Sequence, residues 1–139
     1  MDRRHFLSLS AAASVALATP AFAAGETLDY QPGLVAEQLA AGKTVLLDFS
    51  AAWCSTCAAQ ERVIGGLRGE NPAYSENIVF VRVDWDTYRR ADITRNLAIP
   101  RRSTLVVLKG DQELGRIVAG TGRAQIKQLM DIALGAATA

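Results

Sequence analysis

The strongest constraint on how this chain folds lies in residues 45–57, where an apolar run leads into a closely spaced pair of cysteines. Residues 45–49 read VLLDF, the continuous apolar pattern of a strand that is covered on both faces. From Cys54 to about Leu67 the apolar residues recur at helical spacing. The pattern predicts a buried strand and a helix that meet within a few residues, with both cysteines at the junction.

Cys54 and Cys57 are the two cysteines of the chain, and their Cys-x-x-Cys spacing suits redox chemistry. Two thiols at this spacing can close a small ring while the rest of the fold stays in place. A helix that begins at Cys54 directs unpaired N–H groups and its positive dipole end at that sulfur, which favours the thiolate. Because a thiolate attacks disulfides and a second thiol resolves the mixed disulfide, we expect Cys54 to be the accessible nucleophile and Cys57 the shielded resolving cysteine. A structural staple is the weaker hypothesis, since so short a bridge closes almost no loop.

The rest of the chain alternates between strand and helix patterns and carries no internal repeat. Its order of elements predicts an α/β domain with a mixed sheet and helices on both faces. The predicted helices cover 32–40, 54–67, 87–97 and 123–134, and the predicted strands cover 45–49, 78–83, 104–108 and 113–118, the last two joined as a hairpin.

The segment VLLDFSAAWCSTC at residues 45–57 resembles the thioredoxin superfamily, with strand, acid, Trp and redox pair in the family order and without gaps. The resemblance covers nearly all of the chain beyond about residue 25. It implies the thioredoxin fold and a thiol–disulfide oxidoreductase that acts on protein disulfides. It also implies that Asp48 is the buried acid that helps to move the proton of Cys57, and that Trp53 forms an apolar platform beside the active sulfur. The family's companion Lys is missing, and only Arg82, in uncertain register, could replace it.

The family's cis-proline, which faces the redox pair and binds the substrate chain, has no obvious counterpart here. A gapless alignment places Ser103 at that position, and an alternative with an insertion places Pro100 there. With Ser103 in that place we expect a trans bond between Arg102 and Ser103, because a cis bond before a non-proline residue costs about 3 kcal/mol. The candidate substrate-binding residues are therefore Trp53, Arg102, Ser103 and Thr104. Arg101 and Arg102 would stabilise the thiolate and favour acidic substrates if they face Cys54, and would otherwise belong to a solvated loop.

Residues 1–23 have the pattern of a cleaved signal peptide. Arg3 and Arg4 precede an Ala-rich apolar stretch, and the triplet 21–23 (AFA) is a small-x-small cleavage pattern. A spanning helix needs about 20 strongly apolar residues, so a stable membrane anchor is not expected. The arginine pair leaves twin-arginine and general export both open. We expect a thioredoxin-like domain at 24–139, located in the periplasm.

Charge and residue types narrow the partners of the exported domain. Removing residues 1–23 takes one acid and two arginines from 14 acidic and 15 basic residues, which leaves 13 of each. No charge field then favours nucleic acid or an anionic membrane. The single His, His5, also leaves, which removes one potential metal ligand. We expect no bound cofactor, and we expect a monomer. The alternative, a metal or iron–sulfur module, would need Cys-x-x-Cys pairs shared across a dimer, since two cysteines supply half a tetrahedral site.

The direction of the redox reaction follows from the same features. The neutral Ser55-Thr56 pair argues mildly against a strong oxidant, and we expect a reductant. An oxidising periplasm holds no free thiol pool, so a membrane thiol-reductant carrier would have to supply the electrons. A binding domain with a vestigial redox pair is a third hypothesis, which predicts that Cys54→Ser leaves function unchanged.

Overall fold

The computed structural model describes residues 25–139. A five-stranded sheet has the order β1-β3-β2-β4-β5, in which β2 is parallel to β3 and antiparallel to β4. The strands are β1 (Thr27–Asp29), β2 (Thr44–Ser50), β3 (Ile78–Asp84), β4 (Thr104–Lys109) and β5 (Gln112–Val118). The helices are α1 (Leu34–Ala40), α2 (Ser55–Glu70), α3 (Ala73–Asn77), α4 (Trp85–Tyr88), α5 (Asp92–Asn96) and α6 (Arg123–Ala137).

Strand β2 is the centre of the molecule, and every one of its residues is buried. Its Leu46 faces a cluster with α2, α3 and α6, whereas Leu47 and Phe49 face a second cluster with α1, α4 and α5. Apolar side chains on both faces of one strand require cover on both sides. The predicted mixed sheet with helices on both faces is therefore observed, and the cysteines follow the carboxyl end of its central strand β2.

The predicted helix over 87–97 is wrong in its bounds and continuity. Two short helices, α4 and α5, replace it. The carboxylate of Asp84 accepts the Thr87 amide at 3.0 Å, which starts α4 earlier than predicted. The carbonyl of Tyr88 accepts the Ala91 amide at 2.9 Å and the Thr94 hydroxyl at 2.7 Å, which ends the first helix before the second begins.

The sequence patterns do not predict the short elements β1 and α3, whereas the longer observed elements agree with the prediction to within a few residues. Strand β1 and helix α3 have three and five residues, too few to show a period. The predicted hairpin is observed as β4 and β5, whose turn contains Gly110 at a φ of 60°. The predicted signal peptide, residues 1–23, lies outside the described residues. Within residues 25–139, no helix is long and apolar enough to cross a membrane.

Candidate active site

The two cysteines lie at the amino end of α2, where β2 passes into the helix. Cys54 is the residue that caps the helix, and its sulfur accepts the Cys57 amide at 3.2 Å. A disulfide joins the two side chains, with 5.3 Å between the Cα atoms. The sulfur of Cys54 therefore receives a helical N–H at the positive end of the helix dipole, the setting that favours a thiolate once the disulfide is reduced.

Both cysteines are shielded from solvent. Cys54 is 4% exposed and Cys57 is 1% exposed, so Cys54 is less accessible than the sequence suggested. Ala51 packs against the pair, and so does the half-buried ring of Trp85 at the start of α4. A substrate disulfide must therefore reach a cysteine that Ala51 and Trp85 almost fully cover.

Ser103 lies directly on the disulfide. Its hydroxyl oxygen is 3.1 Å from the sulfur of Cys54 and 3.1 Å from the sulfur of Cys57, and its side chain is fully buried. Pro100 is exposed, so Ser103 and not Pro100 occupies the place that faces the pair. All peptide bonds within residues 25–139 are trans, including the bond before Ser103, as expected.

The backbone of Ser103 is held from three directions in a left-handed conformation, with a φ of 61°. Its amide donates to the Phe49 carbonyl at 2.7 Å. Its carbonyl accepts the Ala119 amide at 2.8 Å and the Gln60 side-chain amide at 3.0 Å. Gln60, fully buried on α2, also donates to the Gly120 carbonyl at 2.9 Å. A strained residue persists only where its surroundings over-determine it, and these bonds do so here.

Asp48 is buried on the face of β2 that α2 covers. Its Cα partner on β3 is Arg82, which resolves the register that the sequence left open. Arg82 forms an ion pair with Glu61 at 3.1 Å, and Glu61 also accepts the hydroxyl of Ser50 at 2.9 Å. Burial and, to a lesser degree, the negative charge of Glu61 raise the pKa of Asp48 to about 7, while Arg82 opposes the shift.

A cleft of about 180 Å³ connects this acidic cluster with the surface. Asp48 and Glu61 line it together with Arg68 and Arg82. One carboxylate oxygen of Asp48, Oδ1, has no hydrogen-bond partner among the described residues. The arrangement places a buried acid, whose pKa is raised to about 7, on a cleft that opens to solvent.

Trp53 and Arg102 form the exposed rim of the site. Trp53 is 60% exposed, so it does not pack in the core, and its indole N–H donates to the Asp86 carboxylate at 2.9 Å. The guanidinium of Arg102 lies 4.6 Å from the centroid of the Trp53 ring, a cation–π contact. Thr104, predicted to bind substrate, has a fully buried side chain whose hydroxyl donates to the Arg101 carbonyl at 2.7 Å. That side chain is therefore not available to a substrate, because it is committed to the loop.

Comparison with known proteins agrees with this geometry. A family model described as thioredoxin-like matches residues 27–112. The chain belongs to this family. It is similar to thioredoxin H2-1 of Oryza sativa subsp. japonica, with 34% identity over 76 residues, which are 55% of this chain and 51% of that protein. It is also similar to thioredoxin of Mycobacterium tuberculosis (strain ATCC 25618 / H37Rv), with 30% identity over 95 residues, which are 68% of this chain and 78% of that protein. The chain thus spans about half the length of the first of these relatives.

Solved structures give the same result for the fold. Trxlp from Edwardsiella tarda EIB202 superposes with a TM-score of 0.67 at 26% identity, over 76% of this chain and 98% of that one. Thioredoxin from Trypanosoma brucei brucei superposes with a TM-score of 0.63 at 20% identity, over 79% and 93%. The predicted thioredoxin fold is confirmed. With its bonded Cys-x-x-Cys pair, this thioredoxin-like chain is a thiol–disulfide oxidoreductase.

Sequence reasoning missed three residues of this thioredoxin-like site, namely Gln60, Glu61 and Trp85. Gln60 follows Cys57 by three residues and so shares its buried helix face, a position where a polar residue signals a buried hydrogen bond. No comparable signal marked Glu61 or Trp85, because their contacts are made with distant strands and loops. Within residues 25–139, no group of three or more His, Cys, Asp or Glu side chains could hold a metal, and the metal-module alternative gains no support.

Proposed function

We propose that this protein is an exported thioredoxin-like reductant of protein disulfides, in which Cys54 is the nucleophile and Cys57 the resolving thiol. One observation carries the assignment of roles: the Cys54 sulfur caps α2 and accepts the Cys57 amide at 3.2 Å, whereas Cys57 lies in the first turn of α2 and is 1% exposed. A thiolate at the helix end is stabilised by the dipole and by the N–H group.

In the proposed reaction the Cys54 thiolate attacks one sulfur of a substrate disulfide, and the other substrate sulfur leaves as a thiolate that takes up a proton. Cys57 then passes its thiol proton to the Asp48 carboxylate and attacks the Cys54 sulfur. The substrate is released as a dithiol, and the enzyme leaves as the Cys54–Cys57 disulfide, having given up two electrons. An acid with a pKa of about 7 suits this proton exchange, because both of its forms are populated near neutral pH.

The reducing direction and the location extend this proposal. The neutral residues between the cysteines and the thioredoxin relatives support a reductant, and the pattern of residues 1–23 supports export to the periplasm. There a membrane thiol carrier would return the two electrons, since the compartment maintains no reducing thiol pool. We expect the enzyme to act as a monomer and its exposed Trp53–Arg102 rim to contact substrate segments that carry acidic residues.

The test is a covalent trap in cells that express the chain with residues 1–23. Cys57→Ser should accumulate mixed disulfides between Cys54 and client proteins, because the resolving step is lost. The matched control is Cys54→Ser/Cys57→Ser, which should trap nothing, and Cys54→Ser alone should abolish disulfide reductase activity. Absence of trapped clients together with full activity of Cys54→Ser would overturn the proposed function.

The reducing direction has its own measurement. Equilibration with glutathione should give a potential near that of thioredoxins, about −270 mV. A value near that of strong exported oxidants, about −120 mV, would overturn the reductant assignment.

A further inference from the structure

The hydroxyl of Ser103 is the one side-chain oxygen that contacts both redox sulfurs in the described part of the chain. The two contacts are equal at 3.1 Å, and neither cysteine sulfur has another side-chain partner there. A serine hydroxyl carries a single donor hydrogen. It can therefore serve only one sulfur at a time, and the equal distances allow it to serve either by rotation about one bond.

The backbone of Ser103 is fixed by hydrogen bonds, and this backbone determines where the hydroxyl lies. The left-handed backbone of Ser103 is strained in a residue other than glycine. Three hydrogen bonds, from its amide to Phe49 and to its carbonyl from Ala119 and Gln60, hold it in that conformation. The side chain is fully buried, so water does not compete for the donor. A hydrogen bond from a buried, fixed donor to an anion is among the stronger ones in proteins.

We propose that the Ser103 hydroxyl is a catalytic group of this enzyme that stabilises both thiolates in turn. In the reduced enzyme it donates its hydrogen bond to the Cys54 thiolate, alongside the Cys57 amide. When Cys54 becomes neutral in the mixed disulfide, the hydroxyl turns to the Cys57 sulfur and stabilises the thiolate that attacks next. Ser103 keeps its proton throughout, and Asp48 remains the acceptor of the Cys57 proton. This inference rests on the proposed roles of Cys54 and Cys57.

The proposal predicts the direction of two measurable changes in Ser103→Ala. Without the donor, the Cys54 thiolate is less stable, so the midpoint of its titration moves to higher pH. The substitution removes less stabilisation from the disulfide than from the thiolate, because a neutral sulfur is a weak hydrogen-bond acceptor. The reduced form is therefore disfavoured, and the reduction potential falls.

The experiment compares wild type, Ser103→Ala and Thr94→Val. Thr94 is a matched control, since its buried hydroxyl donates to Tyr88 and contacts neither sulfur. Loss of a hydrogen bond to a charged group should move the Cys54 midpoint up by about one pH unit in Ser103→Ala. The equilibrium constant with glutathione should shift about tenfold, or about 30 mV, towards a more reducing enzyme. Thr94→Val should match wild type in both. Rates of alkylation of Cys54 across pH give the midpoint.

The charged side chains around the pair are the same in all three proteins, so they do not produce the difference. They are Asp48 on β2, Glu61 on α2, Arg82 on β3, Asp86 on α4 and Arg102 before β4. Hydrogen exchange of the Ala119 amide, which is bonded to the Ser103 carbonyl, reports whether the loop has kept its place. If Ser103→Ala fails to fold, Ser103→Gly replaces it, because glycine adopts a positive φ without strain.

The proposal would be overturned by a variant that lacks the hydroxyl, keeps the Ala119 amide protected and still has the Cys54 midpoint and the glutathione equilibrium of wild type. So would equal shifts in Thr94→Val. Failure of the underlying function has a different signature, namely an active Cys54→Ser enzyme with no trapped client. The two hypotheses can therefore fail separately.

Discussion

Asp48 links the proposed proton transfer from Cys57 to the stability of the fold. Its carboxyl group lies in the central strand, one of its oxygens is unpartnered among the described residues, and its pKa is raised to about 7 by burial and by Glu61. In the unfolded chain the same group ionises near pH 3.8. Between these two values the unfolded state releases a proton that the folded state keeps, so folding stability falls as the pH rises from about 4 to about 7.

Replacing this acid with its neutral isostere should remove that loss. We expect Asp48→Asn to match wild type below about pH 4 and to exceed its free energy of unfolding by up to roughly 4 kcal/mol above pH 7, since one pKa unit corresponds to about 1.4 kcal/mol. Urea unfolding of the oxidised protein across this pH range provides the measurement. Turnover should fall at the same time, because Cys57 loses its proton acceptor.

The control for this variant is Asp111→Asn, on the exposed hairpin turn, which should leave the pH dependence of unfolding as in wild type. A stability difference between Asp48→Asn and wild type that is the same at pH 4 and pH 8 would show that Asp48 keeps its charge in the folded protein.

Some residues of the site were identifiable from sequence because their signal is local. Cys54, Cys57 and Asp48 follow one another along a single strand–helix junction, so a short segment is enough to identify them. Glu61 meets Arg82 across α2 and β3, and Trp85 meets the cysteines from the end of another strand. Those relations depend on strand register and helix packing, which a pattern of apolar residues does not determine.

Helix α2 does more than present the cysteines, because it also positions the loop opposite them. Gln60, one turn after Cys57, donates to the carbonyls of Ser103 and Gly120, which precede β4 and follow β5. The helix is thus tied to both ends of the hairpin by a single side chain. Its bond to the Ser103 carbonyl holds Ser103 against the disulfide.

Removing the two donors should loosen that loop measurably. We expect Gln60→Leu to lower the free energy of unfolding by about 2–3 kcal/mol, because two buried carbonyl bonds are lost. Hydrogen exchange at the Ala119 amide should become faster. Gln128→Leu, on the exposed face of α6, is the matched control and should stay within about 0.5 kcal/mol of wild type. Unchanged exchange at Ala119 in Gln60→Leu would mean that the other bonds of Ser103 hold the loop without it.

At the level of elements, sequence patterns succeeded where apolar spacing determines structure and failed where side-chain caps do. The hairpin of β4 and β5 and the helix α6 follow their apolar periods. The predicted helix over 87–97 was divided by the Asp84 cap and by the Thr94 hydroxyl bond to Tyr88. Such side chain–backbone bonds compete with helical ones and leave no mark on hydrophobic periodicity.

For the molecule as a whole, the decisive question is where its electrons come from. In the proposed reducing direction the enzyme gives up two electrons per turnover, and its two cysteines form one redox pair, so each cycle would depend on an outside donor. The proposed location makes that donor a membrane carrier, because the periplasm is kept oxidising. The proposed electron source therefore depends on the proposed location, and one experiment can test both.

In a bacterial host that expresses residues 1–139, we expect the protein in the periplasmic fraction with its amino terminus at Ala24. Its cysteines should be mostly reduced while the membrane thiol carrier is present and should accumulate as the Cys54–Cys57 disulfide when that carrier is deleted, because oxidation then has no counterpart. Thiol alkylation before lysis measures the ratio. The control, a chain that starts at Met followed by Ala24, should stay in the cytoplasm and be reduced in both hosts. Retention of residues 1–23 would contradict the proposed export. A ratio of reduced to oxidised protein that stays the same when the carrier is deleted would contradict the proposed electron source.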